Sequence, residues 1–239
     1  MTSGMRRLIV NADDFGMSVG VNAGVVRTFE HGVVTSTSLL VRRPAAADAA
    51  AYARAHARLG VGLHVDLGEW IYRDDRWVTE VEVVSTEDAV AVGGEIRRQL
   101  ERFRTLLGVD PTHLDSHQHV HQADPAASIL AALARELGVP LRGVTPSVDS
   151  RGDFYGQTGR GEPLHDAISV DALLAVLTSV PPGITELTCH PGLPTHTSTY
   201  AEERAIEVET LCDPSVRGAI AAAGITLVSF AGCASDHPT

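Results

Sequence analysis

The sequence predicts one α/β domain over residues 1–239, in which about seven parallel strands alternate with helical crossovers. Three observations predict it. Short apolar, β-branched runs recur between longer segments of helical character. Polar side chains able to bind metal or carry protons follow the carboxyl ends of several of those runs, where parallel α/β folds gather their chemistry. With 44% hydrophobic residues the chain can bury a sizeable core, and no composition break or low-complexity linker divides it.

In chain order, the strand candidates are residues 8–11, 34–41, 61–67, 112–117, 139–144, 184–189 and 225–230. Each is a short run rich in Val, Ile, Leu or Thr. Helices are predicted at 19–31, 45–58, 87–107, 124–137, 169–179 and 199–223, the last broken at Pro214. The Ala-rich stretch after Pro44 reads as helix rather than linker. Gly108, Gly138 and Gly224 stand where C-terminal caps are expected, and Ser85-Thr86-Glu87-Asp88 and Asp124-Pro125 mark helix starts. Segments 68–86 and 145–165 break the alternation and read as long loops, which in a compact domain are usually functional.

Composition removes several classes of function. Thirty acidic against nineteen basic residues give a formal charge of −11, which opposes nucleic-acid binding through phosphate neutralisation. Every basic residue is arginine, so Schiff-base lysines, the Walker A lysine and a Ser-Lys dyad are excluded. Cys189, Cys212 and Cys233 are too few and scattered for a disulfide framework and read as reduced thiols. No signal sequence precedes the first strand and no 18-residue apolar segment follows, so the expectation is a cytoplasmic protein without a transmembrane segment.

The densest chemistry is His113-Leu114-Asp115-Ser116-His117-Gln118-His119-Val120-His121. On a strand, residues two apart share a face, so this run would present imidazoles and a carboxylate together. Positions 113, 117 and 121 also fit one helix face, but Pro111 precedes them, no Glu follows the first His, and the next helix starts at Asp124-Pro125. Asp13-Asp14 taken alone is equally a capping pair, and a lone His64 is more often a satisfied core residue. Together with one or two of His117, His119 and His121 they supply the mixed nitrogen and oxygen donors of a divalent-metal site. In Cys189-His190-Pro191-Gly192 the turn fixes the backbone beyond His190, whose ordinary pKa near 6.5 suits proton transfer.

As a set, Asn11-Ala12-Asp13-Asp14-Phe15-Gly16, Val34-Thr35-Ser36-Thr37-Ser38, Gly62-Leu63-His64, the run 112–121 and Cys189-His190-Pro191-Gly192 resemble the YdjC family of carbohydrate deacetylases, its chitooligosaccharide and hopanoid-associated branches alike. The resemblance extends from Leu8 to about Phe230 and implies a distorted (β/α) barrel like that of other polysaccharide deacetylases. It implies one divalent metal ion, magnesium or zinc first with nickel, cobalt or iron as further options, held by Asp14, His64 and His117. By the same similarity Asp13 is the general base and His190 the general acid. Asp115 orients a histidine or water behind the ligands, and His119 and His121 line the cleft.

The implied reaction is hydrolysis of an N-acetyl group on an amino sugar, oligosaccharide or glycolipid, a small-molecule partner, with a homodimer as the assembly left open. Trp70, Tyr72 and Trp77 in one long segment and Phe154 and Tyr155 in the other are candidates for stacking on sugar rings. Two rival readings stay open at this level. A non-haem metal oxygenase shares the two-histidine, one-carboxylate donor set but usually occupies a jelly roll. A sugar-binding or regulatory homologue would keep the fold without turnover.

Overall fold

The computed structural model of the chain describes residues 4–194 and 199–233. It runs β1 (Arg6–Phe15), α1 (Val19–His31), β2 (Ser36–Leu39), α2 (Ala46–Ala55) and β3 (Gly60–Val65). A hairpin of β4 (Gly68–Arg73) and β5 (Arg76–Glu82) follows, then α3 (Ala89–Leu107), β6 (Leu114–Ser116), a 3₁₀ turn at His117–Gln122 and α4 (Ala126–Leu137). The last third holds β7 (Val148–Arg151), α5 (Val170–Thr178), β8 (Gly183–Cys189), α6 (Ala201–Cys212), α7 (Pro214–Ala222), β9 (Ile225–Leu227) and the short α8 (Phe230–Cys233).

Seven strands form one parallel sheet in the order β6-β3-β2-β1-β8-β7, with β9 beside the start of β1. The path ends at β6 and β7 without closing, so the curled sheet is a half-barrel rather than a complete ring.

Strand periodicity divides β1 between two environments. Leu8, Val10 and Ala12 belong to the main core under the helices, whereas Ile9 packs with Val148 and Phe230 in a small cluster on the other face. Continuing along that second face, Asn11 and Asp13 follow Ile9, so the inner face becomes polar toward the carboxyl ends. Gly60 and Gly62 keep it open: a Cβ at Gly60 would meet Ser36 Oγ at 2.7 Å, and one at Gly62 would meet the His113 ring at 2.4 Å.

Most helix boundaries follow their expected punctuation. Asp88 caps α3 by accepting from the Val90 and Ala91 amides, Ser18 caps α1, and Asp213 caps α7 with Pro214 in its first turn. Gly108 and Gly138 end α3 and α4 in the left-handed conformation. The break expected at Pro214 separates α6 from α7.

Three segments depart from expectation. Residues 68–86, read as a loop, contain the β4–β5 hairpin, which turns through Asp74 and Asp75 at φ 51° and 58°. A two-residue turn with both φ positive matches the twist of a hairpin, and Asp tolerates it better than most side chains. Residues 139–144, read as a strand, make only a Leu114–Leu141 bridge, while β7 lies inside the segment read as a second loop. Pro140 has no amide hydrogen to give a ladder. Its carbonyl accepts from the Leu114 amide at 2.8 Å, and the Arg142 amide donates to Leu114 O at 3.0 Å, which pins Arg142 beside β6.

Candidate active site

Asp13 and Asp14 sit at a bulge. β1 pairs with β2 as Ala12–Thr37 and then as Phe15–Leu39, and Asp14 has φ 67°. Thr37 Oγ1 donates to the Ala12 carbonyl at 2.6 Å where the ladder is interrupted. On a regular strand consecutive carboxylates would face opposite sides; the bulge brings both, buried, to one cleft around His64.

Asp14 Oδ1 lies 3.5 Å from His64 Nε2 and 3.0 Å from His117 Nδ1, and one donor atom from each residue falls within 4.8 Å of the others. Asp14 Oδ2 accepts from Arg204 at 2.5 Å. Asp115 stands behind His64: its Oδ1 is 2.7 Å from His64 Nδ1, and its Oδ2 accepts from Ser38 Oγ at 2.5 Å and pairs with Arg142 at 2.7 Å. His117 Nε2 is 3.2 Å from both oxygens of Glu69.

Asp13 is gripped from below. Arg142 donates to its two oxygens at 2.6 and 2.7 Å, and Asn11 Nδ2 donates to Oδ1 at 2.8 Å. His190 Nε2 faces Asp13 Oδ2 at 3.8 Å, beyond hydrogen-bond range. The His190 amide donates to Glu207, its carbonyl accepts from Arg204 at 3.1 Å, and Tyr155 and Tyr200 contact the ring edge-on at 5.3 and 5.7 Å.

The remaining histidines of the run have separate surroundings. His113 stacks on Phe230 at 3.9 Å and reaches Ser38 Oγ at 3.1 Å, inside the sheet. His121 is buried, with Nδ1 2.6 Å from Ser116 Oγ, and its ring meets the exposed His119 edge-on at 5.8 Å. Among the described residues, neither His113, His119 nor His121 joins a group with metal-binding geometry. Of the aromatic candidates, Tyr155 stands at the site on Tyr200, while Tyr72 and Trp77 pair across the hairpin at 5.7 Å with Trp77 largely exposed. Trp70 lies next to Glu69, its backbone bonded to Gln118. Phe154 is a correction: it is fully buried in the main core and has no face to offer a sugar.

Sequence reasoning missed Arg142, Arg204, Glu69, Glu186 and Glu207. Arg142 also holds Glu186 at 2.8 Å, and Glu207 accepts from Tyr200 at 2.7 Å. Charged residues on a helix such as α6 ordinarily read as a solvated face, but α6 packs along α1, and Arg204 and Glu207 are buried against Asp14, His190 and Tyr200. The one signal available for Arg142 was its place after Pro140, where a strand could not continue.

Burial opposes ionisation of Asp14, yet Arg204 and His117 hold its carboxyl well below the usual range; Arg142 does the same, less strongly, for Asp13. Burial also opposes charge on His64 and His117, but Asp115 and Asp13 raise the first to about 10, and Asp14 and Glu69 raise the second to about 9. In the metal-free protein, protons on these two imidazoles therefore answer the surplus of carboxylates. That surplus, with two nitrogen donors and one oxygen donor already converging, fits a divalent cation in their place. Burial carries His190 the other way, down to about 4, despite Asp13 and Asp14.

The family model described as YdjC-like protein matches residues 7–222. A carbohydrate deacetylase of Geobacillus stearothermophilus is 36% identical over 94% of this chain and 97% of its own length. A chitooligosaccharide deacetylase of Serratia marcescens is 33% identical over 93% and 97%. Among solved structures, an Enterococcus faecalis protein proposed to cleave cellobiose phosphate superposes with TM-score 0.79 and 26% identity over 96% of this chain and 99% of its own. A family 4 carbohydrate esterase from Streptomyces lividans, in complex with acetate, gives TM-score 0.56 at 13% identity over 94% and 92%, which shows a shared fold.

Proposed function

The chain belongs to the YdjC-like protein family, and from that premise we propose that it is a metal-dependent hydrolase that removes the N-acetyl group from an amino sugar, an N-acetylated oligosaccharide or a glycolipid. The observation that carries this reading is the buried Asp14–His64–His117 donor set lying beside Asp13 and His190 in one cleft. Asp14, His64 and His117 would hold the cation, magnesium or zinc first. When bound, it supplies Lewis-acid activation of water and of the acyl carbonyl.

Asp13 accepts the proton of the attacking water. Arg142 and Asn11 fix its carboxylate and keep it ionised, so it is ready as a base at neutral pH. His190 delivers a proton to the departing amine. Because burial holds this imidazole down to about 4, it is neutral before substrate arrives and must acquire its proton during the reaction. Asp13 has one to give once the 3.8 Å between Asp13 Oδ2 and His190 Nε2 closes to hydrogen-bond range in the substrate complex, and the Arg142 pairing favours its release. One proton thus moves from water to Asp13, to His190 and to the amine, the C–N bond breaks, and the acid formed gives up water's second proton, so that acetate and the protonated amino sugar leave.

Tyr155, above His190, and the hairpin aromatics Trp70, Tyr72 and Trp77 are proposed to contact the sugar, with His119 and His121 at the cleft wall. The chain acts as one domain, a reading supported by the pairing of β1 with β9 from opposite ends of the described residues. No helix among those residues is long and apolar enough to cross a membrane, and Cys189 and Cys212 are free thiols, which supports a cytoplasmic setting.

Acetate release from N-acetylglucosamine oligomers and N-acetylated glycolipids, with and without chelator, tests the proposal. Asp13→Asn is expected to lower the rate by about 10²–10⁴-fold. Undiminished release from that variant would remove Asp13 from the mechanism, and an oxygen-dependent product without acetate would replace the reaction altogether.

A further inference from the structure

We propose that Glu69 is the positioning residue for His117, so that the β4–β5 hairpin and the metal centre act as one unit; this rests on His117 being a metal ligand. His117 directs Nδ1 toward Asp14 and His64, and its other nitrogen lies 3.2 Å from each oxygen of Glu69. An imidazole that offers the Nδ1 lone pair to a cation carries its proton on Nε2. Glu69 is the acceptor that proton meets, which fixes both tautomer and ring orientation.

The surroundings of Glu69 serve the same end. Arg43 donates to Glu69 Oε2 at 2.8 Å and to Asp66 at 2.8 Å, tying the carboxylate to the end of β3, the strand that carries His64. One residue along each chain, the Gln118 amide accepts from the Trp70 N–H at 2.9 Å and donates to the Trp70 carbonyl at 2.8 Å, as a strand neighbour would. To reach that position Gln118 and His119 adopt φ 48° and 57°, a conformation that side-chain-bearing residues seldom take. His64 gets its orienting carboxylate from Asp115, on the neighbouring strand. His117 lies on the 3₁₀ turn just beyond β6, off the sheet, and the hairpin supplies what the sheet supplies to His64.

The competing explanation is that Glu69 merely neutralises Arg43. Chelator-stripped wild type, Glu69→Ala and Glu69→Gln are titrated with Zn²⁺ against a chromophoric competitor, and with Co²⁺ while the visible d–d spectrum is recorded. A positioning role predicts about 10–100-fold weaker Zn²⁺ binding for Glu69→Ala, an altered cobalt spectrum, and partial recovery in Glu69→Gln, whose amide oxygen still accepts from Nε2–H. Binding within about twofold of wild type and an unchanged spectrum in Glu69→Ala would overturn the proposal and leave the metal centre standing. A wild type that binds neither ion overturns the metal centre and this role with it. If Glu69→Ala does not melt cooperatively without metal, Glu69→Gln decides alone: weaker binding with a shifted spectrum supports the role, and wild-type values on both refute it.

Discussion

Arg142 illustrates how much of the site turns on single side chains. It is buried among Asp13, Asp115 and Glu186, donating to each at 2.6 to 2.8 Å, and its planar fork lets one cation serve all three. Arg142→Met should therefore destabilise by about 3–5 kcal/mol, measured as a shift in the urea midpoint, because three carboxylates lose their counter-charge. A loss below about 0.5 kcal/mol would mean that the network is not coupled in this way. His113, held down to about 4 by burial despite Asp115, makes a pH prediction. Its folded pKa lies below its unfolded value near 6.5, so the unfolded chain binds the extra proton and stability falls as pH drops from about 6.5 toward 4. His121 and His190, also near 4, act in the same direction, while Glu207, raised to about 8 by burial, opposes them between its unfolded value and 8. His113→Asn should reduce the acid slope of unfolding free energy by about 1.4 kcal/mol per pH unit, and an unaltered slope would show that His113 titrates alike in both states.

At the scale of elements, the bulge at the end of β1 and the β4–β5 hairpin do most to shape the cleft. The bulge lets adjacent residues serve as proposed base and ligand, a division that uninterrupted strand geometry would forbid. The hairpin carries Glu69, the half-buried Trp70 and Tyr72 and the exposed Trp77, and Gln118 latches it through the Trp70 backbone. Gln118→Ala removes the two bonds to the Trp70 backbone without touching the proposed acid or base. The expected result is a KM raised by about three- to tenfold for an N-acetylglucosamine oligomer with a smaller change in kcat, since substrate positioning suffers more than chemistry. A change confined to kcat would place the latch's role in the reaction step. The hairpin was present in the sequence as aromatic and β-branched enrichment in Trp70-Ile71-Tyr72 and Trp77-Val78-Thr79, but Asp74-Asp75 is a weaker turn signal than Asn-Gly and hid it. Residues 139–144 failed in the opposite way: their apolar character belongs to burial around Leu141, and Pro140 denies them a ladder.

For the whole molecule, the concentration of buried carboxylates in an open half-barrel means that a cation bound as proposed would contribute to stability as well as to chemistry. A divalent ion at about 100 times its dissociation constant should add about 2.7 kcal/mol, or about 5–10 °C in melting temperature for a chain of this size. Thermal melts with chelator, Mg²⁺ or Zn²⁺ measure this directly, and identical curves throughout would argue that no cation binds in the native state. The sequence by itself determined the alternation of strands and helices, the positions of most helix ends, and the residue types of Asp13, Asp14, His64, Asp115, His117 and His190, because each is a local property of spacing, propensity or motif. The resemblance already implied that Asp14, His64 and His117 meet, and their donor atoms do converge, but only the tertiary structure decided that His113 turns into the sheet and that Arg142, Arg204, Glu69 and Glu207 join the site. Those assignments depend on how the sheet curls over its inner face and on how α6 packs along α1, and the burial of a charge is settled by partners far away in the chain.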